Sequence, residues 1–454
     1  MKMYETTQRV EKYLNVELEC SCGRTHYAPI RAVDIRSGAI NDLPGYVKEY
    51  GYCYPYILCD KITYELAGRK CEELLKAAGL RCHVLIIKHL GFDEATLGEI
   101  VINKPDGCDL MIGCGTGSIT DMLRYASFKL GLPCFTIPTA APMDGFSASV
   151  GIMNVNNLKA TMPAHSTEVI IGDTDILSGA PFRMTLAGFA DLIGKLNALS
   201  DWHLAALING DHYCASIDKL IRDYVYDILG KTESLKKRDP ETIGDVLNAL
   251  LLAGATISLY GSSRPISGAE HHFSHYLEVI GDQRGKPYAM HGEQVAVGTV
   301  IALSVAEALA GEKIDFEAAR TAARAYDPAQ WKSEIRRAYG SAAEAIIELE
   351  EASGKNETSA RLRRIDMMQA HWDEIRQMLA GVYSSRKLRE LLKDLGCPAD
   401  PVDLGVTPDV LKDTLLYCKE TRARYTVFQL AWDLGILDSI SDRIIAQLEE
   451  LGRV

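Results

Sequence analysis

The feature that most constrains the fold is an alternation of short apolar runs and amphipathic segments between residues 50 and 175. Helical patterns such as ITYELAGRKCEELLKAAG, closed by Gly79, separate the apolar runs. This alternation predicts a mostly parallel sheet with helices on both faces, which binds ligands beyond the carboxyl ends of its strands. The predicted strands are Tyr56–Asp60, His83–Lys88, Asp109–Gly113, Cys134–Pro138 and Glu168–Asp173.

A glycine-rich turn follows the third predicted strand. The strand DLMIG runs into GCGTGS (113–118) and then into the helical segment ITDMLRYASFKLG. Glycines let a backbone approach a ligand closely, and a helix start offers free N–H groups to a phosphate. The spacing is G-x-G-x-G, which differs from the G-x-G-x-x-G of Rossmann enzymes and from the lysine-bearing P-loop. The turn is therefore either a phosphate site or only a tight turn.

Two further strand ends carry polar side chains. Asp60 closes the run YILCD, where an acid can accept both hydroxyls of an adenosine ribose and would repel a 2′-phosphate, which favours NAD over NADP. The alternative is a helix N-cap or a turn acid. The stretch TAAPMDGFSAS (139–149) follows the strand CFTIP and could line a nicotinamide and substrate cleft. Within it, Asp144 is either a proton-handling acid or a turn acid.

The chain is too long, at 454 residues, for one compact core. The segment 151–164 predicts a β-hairpin that turns near Asn156 and Asn157. Helical periodicity dominates after about residue 175. We therefore expect a Rossmann-like α/β NAD(P)-binding domain over residues 1–175 and an all-α domain over residues 176–454.

Composition excludes several classes of function. A net charge of −12 argues against nucleic acid as a partner, because polyanion binding needs concentrated Lys and Arg. The start, MKMYETTQRVEKYL, lacks the apolar core of a signal peptide, and no apolar run approaches the length of a membrane span. The twelve cysteines have no framework spacing, which favours reduced thiols in a cytoplasmic enzyme. A small-molecule substrate is expected.

A group of two cysteines and a histidine lies near the start of the chain. Cys20, Cys22 and His26, in CSCGRTHYAPI, could bind zinc. The C-x-C spacing, however, lacks the C-x2-C and the second pair of a structural zinc site. The alternative is a turn at the edge of the first domain.

Histidines are concentrated between Gly261 and Gly298. His271 and His275 are four residues apart in a helical pattern, so they share one face, and His291 opens a second predicted helix. Neutral imidazole suits Zn, Ni and Fe. Histidines at this spacing also occur in ordinary packing or on surfaces, so the pattern alone leaves both possibilities open.

A carboxylate completes a possible metal site. Asp191 lies in GFADLIGKLNALSDW, where an acid among apolar residues is costly to bury unless it is paired or bound to metal. With His271 and His291 it makes a set of one carboxylate and two imidazoles, which leaves positions open for substrate, as a catalytic site requires. Glu270 and Glu278 are expected to support, cap or face solvent.

The motifs together resemble a known superfamily. GCGTGSITD, PTAAPMDGFSAS, GFADLIGKLNALSDW, SSRPISGAEHHFSH and MHGEQVAVG resemble the ordered motifs of the glycerol dehydrogenase, iron-type alcohol dehydrogenase and dehydroquinate synthase superfamily. SRP-x-SGAEH-x-FSH is similar to its sn-glycerol-1-phosphate dehydrogenase branch. The resemblance covers about residues 30–300, with a further likeness at YTVFQLAWDLGIL. It implies a dehydroquinate synthase-like fold, with a dinucleotide-binding α/β domain followed by a helical domain that binds metal and substrate.

The resemblance also implies an activity. This is the NAD(P)H-dependent, reversible reduction of dihydroxyacetone phosphate to sn-glycerol 1-phosphate with one divalent ion per subunit, Zn, Ni or Fe. The proton would come from water, Asp144 or His275, and Arg264 is expected to bind the substrate phosphate. We expect a homo-oligomer, taken as a dimer. The implied site residues are Asp191, His271 and His291 for the metal, Gly115, Thr116, Gly117 and Asp121 for the pyrophosphate, Thr139 and Ser149 for the nicotinamide side, Asp60 for the ribose, and Asp144 and His275 near the substrate.

Three alternatives remain. A glycerol dehydrogenase would act on unphosphorylated glycerol or dihydroxyacetone, and it lacks the SRP-x-SG lead-in. A dehydroquinate synthase-type lyase has Glu where this chain has Asp191 and Lys where it has Gly194, so the chain departs from that pattern. A catalytically silent, nucleotide-binding member would bind cofactor without turnover.

Overall fold

The computed structural model describes residues 9–155, 158–286 and 289–454. The chain forms two compact units, of which unit 1 comprises Met1–Leu192 and Ala215–Ser263, and unit 2 comprises Ile193–Cys214 and Arg264–Val454. These bounds differ from the predicted domains, 1–175 and 176–454. The reason lies in residues 215–263, which return to unit 1 and pack near its first long strand and the helix that follows its last one.

Unit 1 is built on a six-stranded parallel sheet. The strands of unit 1 are β1 (Leu18–Glu19), β2 (Thr25–His26), β3 (Ala32–Arg36), β4 (Pro55–Cys59), β5 (His83–Ile86), β6 (Leu110–Gly115), β7 (Cys134–Pro138), β8 (Val150–Val155), β9 (Leu158–Pro163) and β10 (Val169–Asp173). The order across the sheet is β3-β10-β7-β6-β4-β5, and every pairing in it is parallel. The predicted parallel sheet is thus confirmed, with strand ends shifted by one or two residues.

One strand of the sheet was not predicted from the sequence, and one hairpin was. β3 was not among the predicted strands, and it pairs with β10 from Ala32–Val169 to Arg36–Asp173. β8 and β9 pair in antiparallel register, which confirms the predicted hairpin. The predicted turn residues of that hairpin, Asn156 and Asn157, lie outside the described residues.

The central strands are apolar on both faces because helices cover both. In β4, Ile57 and Cys59 belong to one hydrophobic cluster, and Tyr56 and Leu58 belong to the cluster on the opposite face. This pattern is typical of a sheet buried on both sides. The helices of unit 1 are α1 (Leu43–Glu49), α2 (Lys61–Thr63), α3 (Arg69–Ala77), α4 (Glu94–Ile102), α5 (Gly117–Leu130), α6 (Thr174–Gly179), the first part of α7 (Phe182–Asn209), α8 (Ala215–Gly230), α9 (Thr232–Lys236) and α10 (Pro240–Tyr260).

The described part of unit 2 contains helices and turns, as predicted for the second half of the chain. Its core is one hydrophobic cluster that includes Phe273, Val297 and Phe428. Besides the second part of α7, its helices are α11 (Ala269–Arg284), α12 (His291–Gly311), α13 (Phe316–Arg324), α14 (Pro328–Tyr339), α15 (Ala343–Ser353), α16 (Thr358–Ala370), α17 (Trp372–Ala380), α18 (Ser385–Leu395), α19 (Pro408–Tyr417), α20 (Val427–Asp433) and α21 (Leu437–Glu450).

Two helices correct one expectation from the sequence. By length and composition α10 and α12 are long and apolar enough to cross a membrane. The expectation that no apolar run approaches that length was therefore wrong. Their most apolar windows are 83% and 72% buried within the protein, respectively. Burial of this extent is typical of helices that belong to a protein core.

Candidate cofactor and metal sites

The carboxyl ends of three adjacent strands carry the predicted cofactor residues. β6 lies between β4 and β7 in the sheet, and all three run in the same direction. Asp60 follows β4, Gly115 ends β6 and Thr139 follows β7, so the structure brings them to one edge. The Thr139 N–H donates to the Gly115 carbonyl oxygen at 3.2 Å. This is the edge at which an open α/β sheet binds its ligand.

The glycine-rich turn is tight, and it also leads into a helix start that no side chain caps. A β-carbon at Gly115 would lie 2.8 Å from Cβ of Ile119, and one at Gly117 would lie 3.1 Å from Cε of Met143. Thr116 is the N-cap of α5 and makes no side-chain capping hydrogen bond. The turn can therefore be a tight turn and a phosphate site at once, since the first N–H groups of α5 are available to an anion.

Asp60 serves as a helix N-cap. Its Oδ1 accepts hydrogen bonds from the N–H groups of Ile62, at 2.7 Å, and Thr63, at 2.8 Å. The Asp60 N–H donates in turn to Oγ1 of Thr63 at 2.9 Å, which completes a capping box. The capping alternative from the sequence is thus confirmed. Both capping bonds accepted by the Asp60 side chain involve Oδ1, one of its two carboxylate oxygens.

Asp121 is partly buried in unit 1 and forms an ion pair with Arg124. Burial raises the pKa of the Asp121 carboxyl to about 6, against the opposing effect of Arg124. Arg124 also donates to the carbonyl oxygens of Ala148 and Val150, the neighbours of Ser149. Asp121 therefore helps to fix the segment that contains Ser149, and its contact with a cofactor stays a prediction.

The stretch 139–149 packs closely against two helices at two glycines. A β-carbon at Gly188 of α7 would overlap the carbonyl oxygen of Ala141, and one at Gly254 of α10 would overlap that of Asp144. The Asp144 N–H donates to Oδ2 of Asp191 at 3.0 Å. Asp191 is only 1% exposed, so this carboxylate is buried and held by backbone next to the predicted proton-handling acid.

In unit 2, His271 is oriented by a buried carboxylate. Its Nδ1 lies 2.7 Å from Oε1 of Glu270, which also accepts from the Gly268 N–H at 2.7 Å, while Oε2 accepts from Nδ2 of Asn197 at 2.6 Å. Burial raises the pKa of Glu270, but the bonds from His271, Gly268 and Asn197 outweigh it and lower the pKa below its usual value. An ionised carboxylate only accepts, so Nδ1 of His271 carries the proton and Nε2 carries the lone pair.

His291 is oriented in the same way by a hydroxyl group. Oγ of Ser274 donates to Oε1 of Gln294 at 3.0 Å, so it can accept from Nδ1 of His291 at 3.1 Å. Nε2 of His291 then carries the lone pair. His271 and His291 each offer a ring nitrogen within 4.8 Å of the other, and their ring centroids are 5.2 Å apart.

A second acid joins these histidines. Nδ1 of His275 lies 3.2 Å from Oε2 of Glu278, and Nδ1 of His291 lies 3.5 Å from Oε1 of the same residue. His275, Glu278 and His291 form a further group of possible metal ligands. Burial, opposed by Glu278, lowers the pKa of His275 to about 4, so its ring is neutral. The spacing of His275 and Glu278, three residues apart on one helix face, could have indicated this pair from the sequence.

Sequence reasoning predicted Arg264 as the phosphate ligand but missed two further arginines near it in unit 2, Arg422 and Arg424. Arg264 pairs with Asp211 at 2.5 Å, and Arg424 donates to the Ser267 carbonyl oxygen at 3.0 Å. Burial, then the nearby Arg422 and Arg264, lower the pKa of Arg424 to about 9. Like charges gathered in a partly buried place are costly without an anion. The signal in the sequence is TRARY, just before the tail that resembles the family, about 160 residues after Arg264.

Comparison with known proteins gives matches of three kinds. A family model of iron-containing alcohol dehydrogenases matches residues 34–181. The glycerol-1-phosphate dehydrogenase (NAD(P)+) of Halalkalibacterium halodurans is 31% identical over 306 residues, 66% of this chain and 77% of that protein. The enzyme of the same name from Bacillus licheniformis is 25% identical over 427 residues, 93% of this chain and 94% of that one. The crystal structure of glycerol dehydrogenase from Schizosaccharomyces pombe matches with a TM-score of 0.56 and 18% identity, covering 94% of this chain and 93% of that one.

These matches define first a class: the protein is an oxidoreductase with the fold shared by glycerol dehydrogenase and the iron-containing alcohol dehydrogenases. Within that class, the chain belongs to the glycerol-1-phosphate dehydrogenase family, whose named members use NAD(P)+. The fold class and the family resemblance predicted from the motifs are thereby confirmed. The assignments of individual site residues stay predictions.

Proposed function

We propose that this protein catalyses the reversible, NAD(P)H-dependent and metal-dependent reduction of dihydroxyacetone phosphate to sn-glycerol 1-phosphate. The observation that carries the proposal lies in unit 2, where imidazoles with a fixed orientation lie near a group of partly buried arginines. His271 and His291 each engage Nδ1 and leave Nε2 for a metal, and Arg422 influences the pKa of His275. A substrate with both a carbonyl oxygen and a phosphate fits such a combination.

The third metal ligand in this proposal, Asp191, is supported by the continuity of α7. In unit 2 a β-carbon at Gly194 would lie 2.8 Å from Cγ1 of Val295 and 3.2 Å from Cγ of Glu270. The face of α7 that carries Gly194 therefore looks toward α11 and α12. Asp191 precedes Gly194 by three residues, so it shares that face one turn earlier.

The two histidines lie beside the residues that Gly194 faces. His271 follows Glu270 on α11, and His291 precedes Val295 by four residues, one turn earlier on α12. A buried carboxylate and two imidazoles suit Zn, Ni or Fe and leave positions open for substrate. Asp191, His271 and His291 are therefore the proposed ligands. The group of His275, Glu278 and His291 is the competing set, because it shares His291.

The proposed cofactor site uses the carboxyl edge of the sheet in unit 1. The uncapped start of α5 supports binding of the pyrophosphate. Asp60 has one carboxylate oxygen engaged in capping, so the other supports binding of a ribose hydroxyl and a preference for NAD over NADP. The proposed cofactor contacts are Asp60, Gly115, Thr116, Gly117, Asp121, Thr139 and Ser149.

The chemistry follows from these positions. A bound divalent ion would polarise the substrate carbonyl and stabilise the negative charge that develops as hydride arrives. The arginine cluster of Arg264, Arg422 and Arg424 would hold the phosphate through charge-assisted hydrogen bonds. In the oxidation direction a neutral His275 can accept the proton of the substrate hydroxyl, and once protonated it can return that proton to the substrate oxygen in reduction; water or Asp144 can also supply it.

A spectrophotometric assay tests the proposal. Purified protein with Zn2+, Ni2+ or Fe2+ should oxidise NADH when dihydroxyacetone phosphate is supplied, and chiral analysis should identify the product as sn-glycerol 1-phosphate. Equal turnover with unphosphorylated dihydroxyacetone would favour a glycerol dehydrogenase instead. Release of phosphate with no net change in NADH would indicate the lyase, and binding of NADH with no turnover would indicate a silent member. We further propose that the protein is cytoplasmic and forms a homodimer. Sedimentation equilibrium can check the oligomeric state.

A further inference from the structure

We infer that Cys20, Cys22, His26 and Cys214 bind a zinc ion in a structural site, separate from the proposed catalytic metal. The inference rests on the geometry of these residues and is independent of the proposed function. β1 and β2 form a short antiparallel ribbon in which Leu18 pairs with His26. Cys20 and Cys22 lie in its turn, so two thiols and an imidazole converge on the end of one ribbon.

The distances within this ribbon fit a shared ion. The ligand atoms of Cys20, Cys22 and His26 all lie within 4.8 Å of one another. Sγ of Cys22 lies 3.3 Å from Nε2 of His26. With Zn–S of about 2.3 Å and Zn–N of about 2.0 Å, two ligands of a tetrahedral zinc are roughly 3.5 Å apart. A small adjustment therefore accommodates the ion.

His26 is fixed in the tautomer that a metal requires. Its Nδ1 lies 2.6 Å from the carbonyl oxygen of Leu259, and the ring is only 1% exposed. A carbonyl oxygen can only accept, so Nδ1 carries the proton and Nε2 presents its lone pair to Cys22. Metal-bound histidines show this arrangement, with the second nitrogen donating to a backbone carbonyl or a carboxylate. A histidine placed here only for packing would not need its lone pair directed at a thiol.

Cys214 supplies the fourth ligand through its place in the chain. Sγ of Cys20 lies 3.4 Å from Oγ of Ser216, in the first turn of α8. Cys214 comes two residues before Ser216, and consecutive Cα atoms are about 3.8 Å apart, so the chain itself brings Cys214 close to the ribbon. Its side chain is fully buried, and it joins the other three as a possible ligand. Three thiolates and one imidazole form a closed set with no position for substrate, which is typical of structural zinc.

The other cysteines provide a contrast. Burial raises the pKa of the Cys397 thiol to about 12 and that of Cys134 to about 11, as expected for thiols that serve only as small apolar side chains. Cys20 and Cys22 are partly exposed instead, so an ion can enter. The proposed zinc would tie the β1–β2 ribbon to the start of α8, in a part of the chain with little other regular structure.

Cobalt substitution tests this site in the full-length protein. The proposed catalytic ligands include no sulfur, so sulfur-to-cobalt charge-transfer absorption reports only a thiolate site. We expect wild-type protein loaded with Co2+ to show this absorption and the tetrahedral visible bands of cobalt. Zinc analysis should give one equivalent more in the wild type than in Cys22→Ser or Cys214→Ser.

Matched variants keep the test decisive. His271→Ala should retain the charge-transfer band, which separates this inference from the proposed catalytic site. Cys53→Ser, which removes an exposed thiol that is not among the proposed ligands, should also retain it. Absence of the band in the wild type would overturn the inference even if the cysteine variants fail to fold.

Discussion

The candidate sites of the two units differ in what they are built from, which is backbone in unit 1 and side chains in unit 2. In unit 1 the candidate cofactor site consists mainly of backbone, at the turn after β6 and the start of α5, where glycines permit close approach. In unit 2 the candidate catalytic groups are side chains, and other side chains hold each of them. A backbone site should therefore be sensitive to an added β-carbon. A side-chain site should be sensitive to loss of a ligand or of its supporting partner.

The largest effect is expected from removal of an imidazole in unit 2. His291→Ala should lower both bound metal and kcat by at least about a hundredfold, because even the supporting partners of metal ligands contribute 10–100-fold. Metal analysis and NADH oxidation measure the two effects. His83→Ala, an exposed histidine on β5, is the control and should change neither. Full activity of His291→Ala would exclude both candidate ligand sets, since they share this residue.

Loss of a supporting partner should come next. Glu270→Gln keeps the shape of the side chain but removes the charge that orients His271, so metal affinity should fall roughly 10–100-fold. Saturating metal should then restore much of kcat, as it would not for a lost ligand. Glu317→Gln, on the exposed face of α13, is the control. An unchanged metal affinity would show that the Glu270–His271 contact serves only packing.

The arginine cluster should determine the choice of phosphorylated substrate. Arg424→Lys keeps a positive charge and loses the planar pair of donors, so KM for dihydroxyacetone phosphate should rise about tenfold or more, as for a charged hydrogen bond of about 1.5–3 kcal/mol. KM for NADH should not change. Arg386→Lys, on α18, serves as the control. If KM for the phosphate ester stays the same, the cluster has another role.

The backbone site in unit 1 should respond to a single methyl group. Gly117→Ala adds a β-carbon 3.1 Å from the flexible Cε of Met143, so the fold should tolerate it while the approach to the α5 start is narrowed. KM for NADH should rise severalfold, with metal content unchanged. Gly98→Ala is a matched control, because nothing lies within 4 Å of its β-carbon in α4. Equal KM values for the two variants would favour the alternative of a tight turn only.

The smallest effect on stability is expected at Asp60. Asn caps helices about as well as Asp, so Asp60→Asn should change the free energy of unfolding by no more than about 0.5 kcal/mol. The variant loses the negative charge that would repel a 2′-phosphate, so kcat/KM for NADPH should rise relative to NADH. Thermal unfolding and paired assays with the two cofactors measure both effects. An unaltered cofactor ratio would leave Asp60 with its capping role alone.

Much of the sheet could be predicted because its central strands are continuous apolar runs. β6 and β7 are buried along their whole length, and such runs are visible in a single sequence. β3 was missed because AVDIR alternates apolar and charged residues and is partly exposed at the edge of the sheet. The division of the chain was also not visible, because helices of similar composition pack in different units.

The candidate site was predictable in its residue types and less so in its contacts. Asp191, His271 and His291 stand out because an acid in an apolar helix and histidines at helical spacing are unusual. The partners that orient them, such as Asn197 and Ser274, carry no distinguishing pattern in the sequence. Arg422 and Arg424 were missed because about 160 residues separate them from Arg264, and only folding places them near one another.

The sequence by itself determined the alternation of strands and helices, the glycine turn and the chemical types of the candidate ligands. These depend on local periodicity and on side-chain chemistry, which are fixed residue by residue. Only the tertiary structure decided which nitrogen of His26, His271 and His291 carries the lone pair, since that depends on acceptors supplied by other residues. It also revealed Cys214 as a companion of Cys20 and Cys22, because proximity across nearly 200 residues is a property of the packed chain.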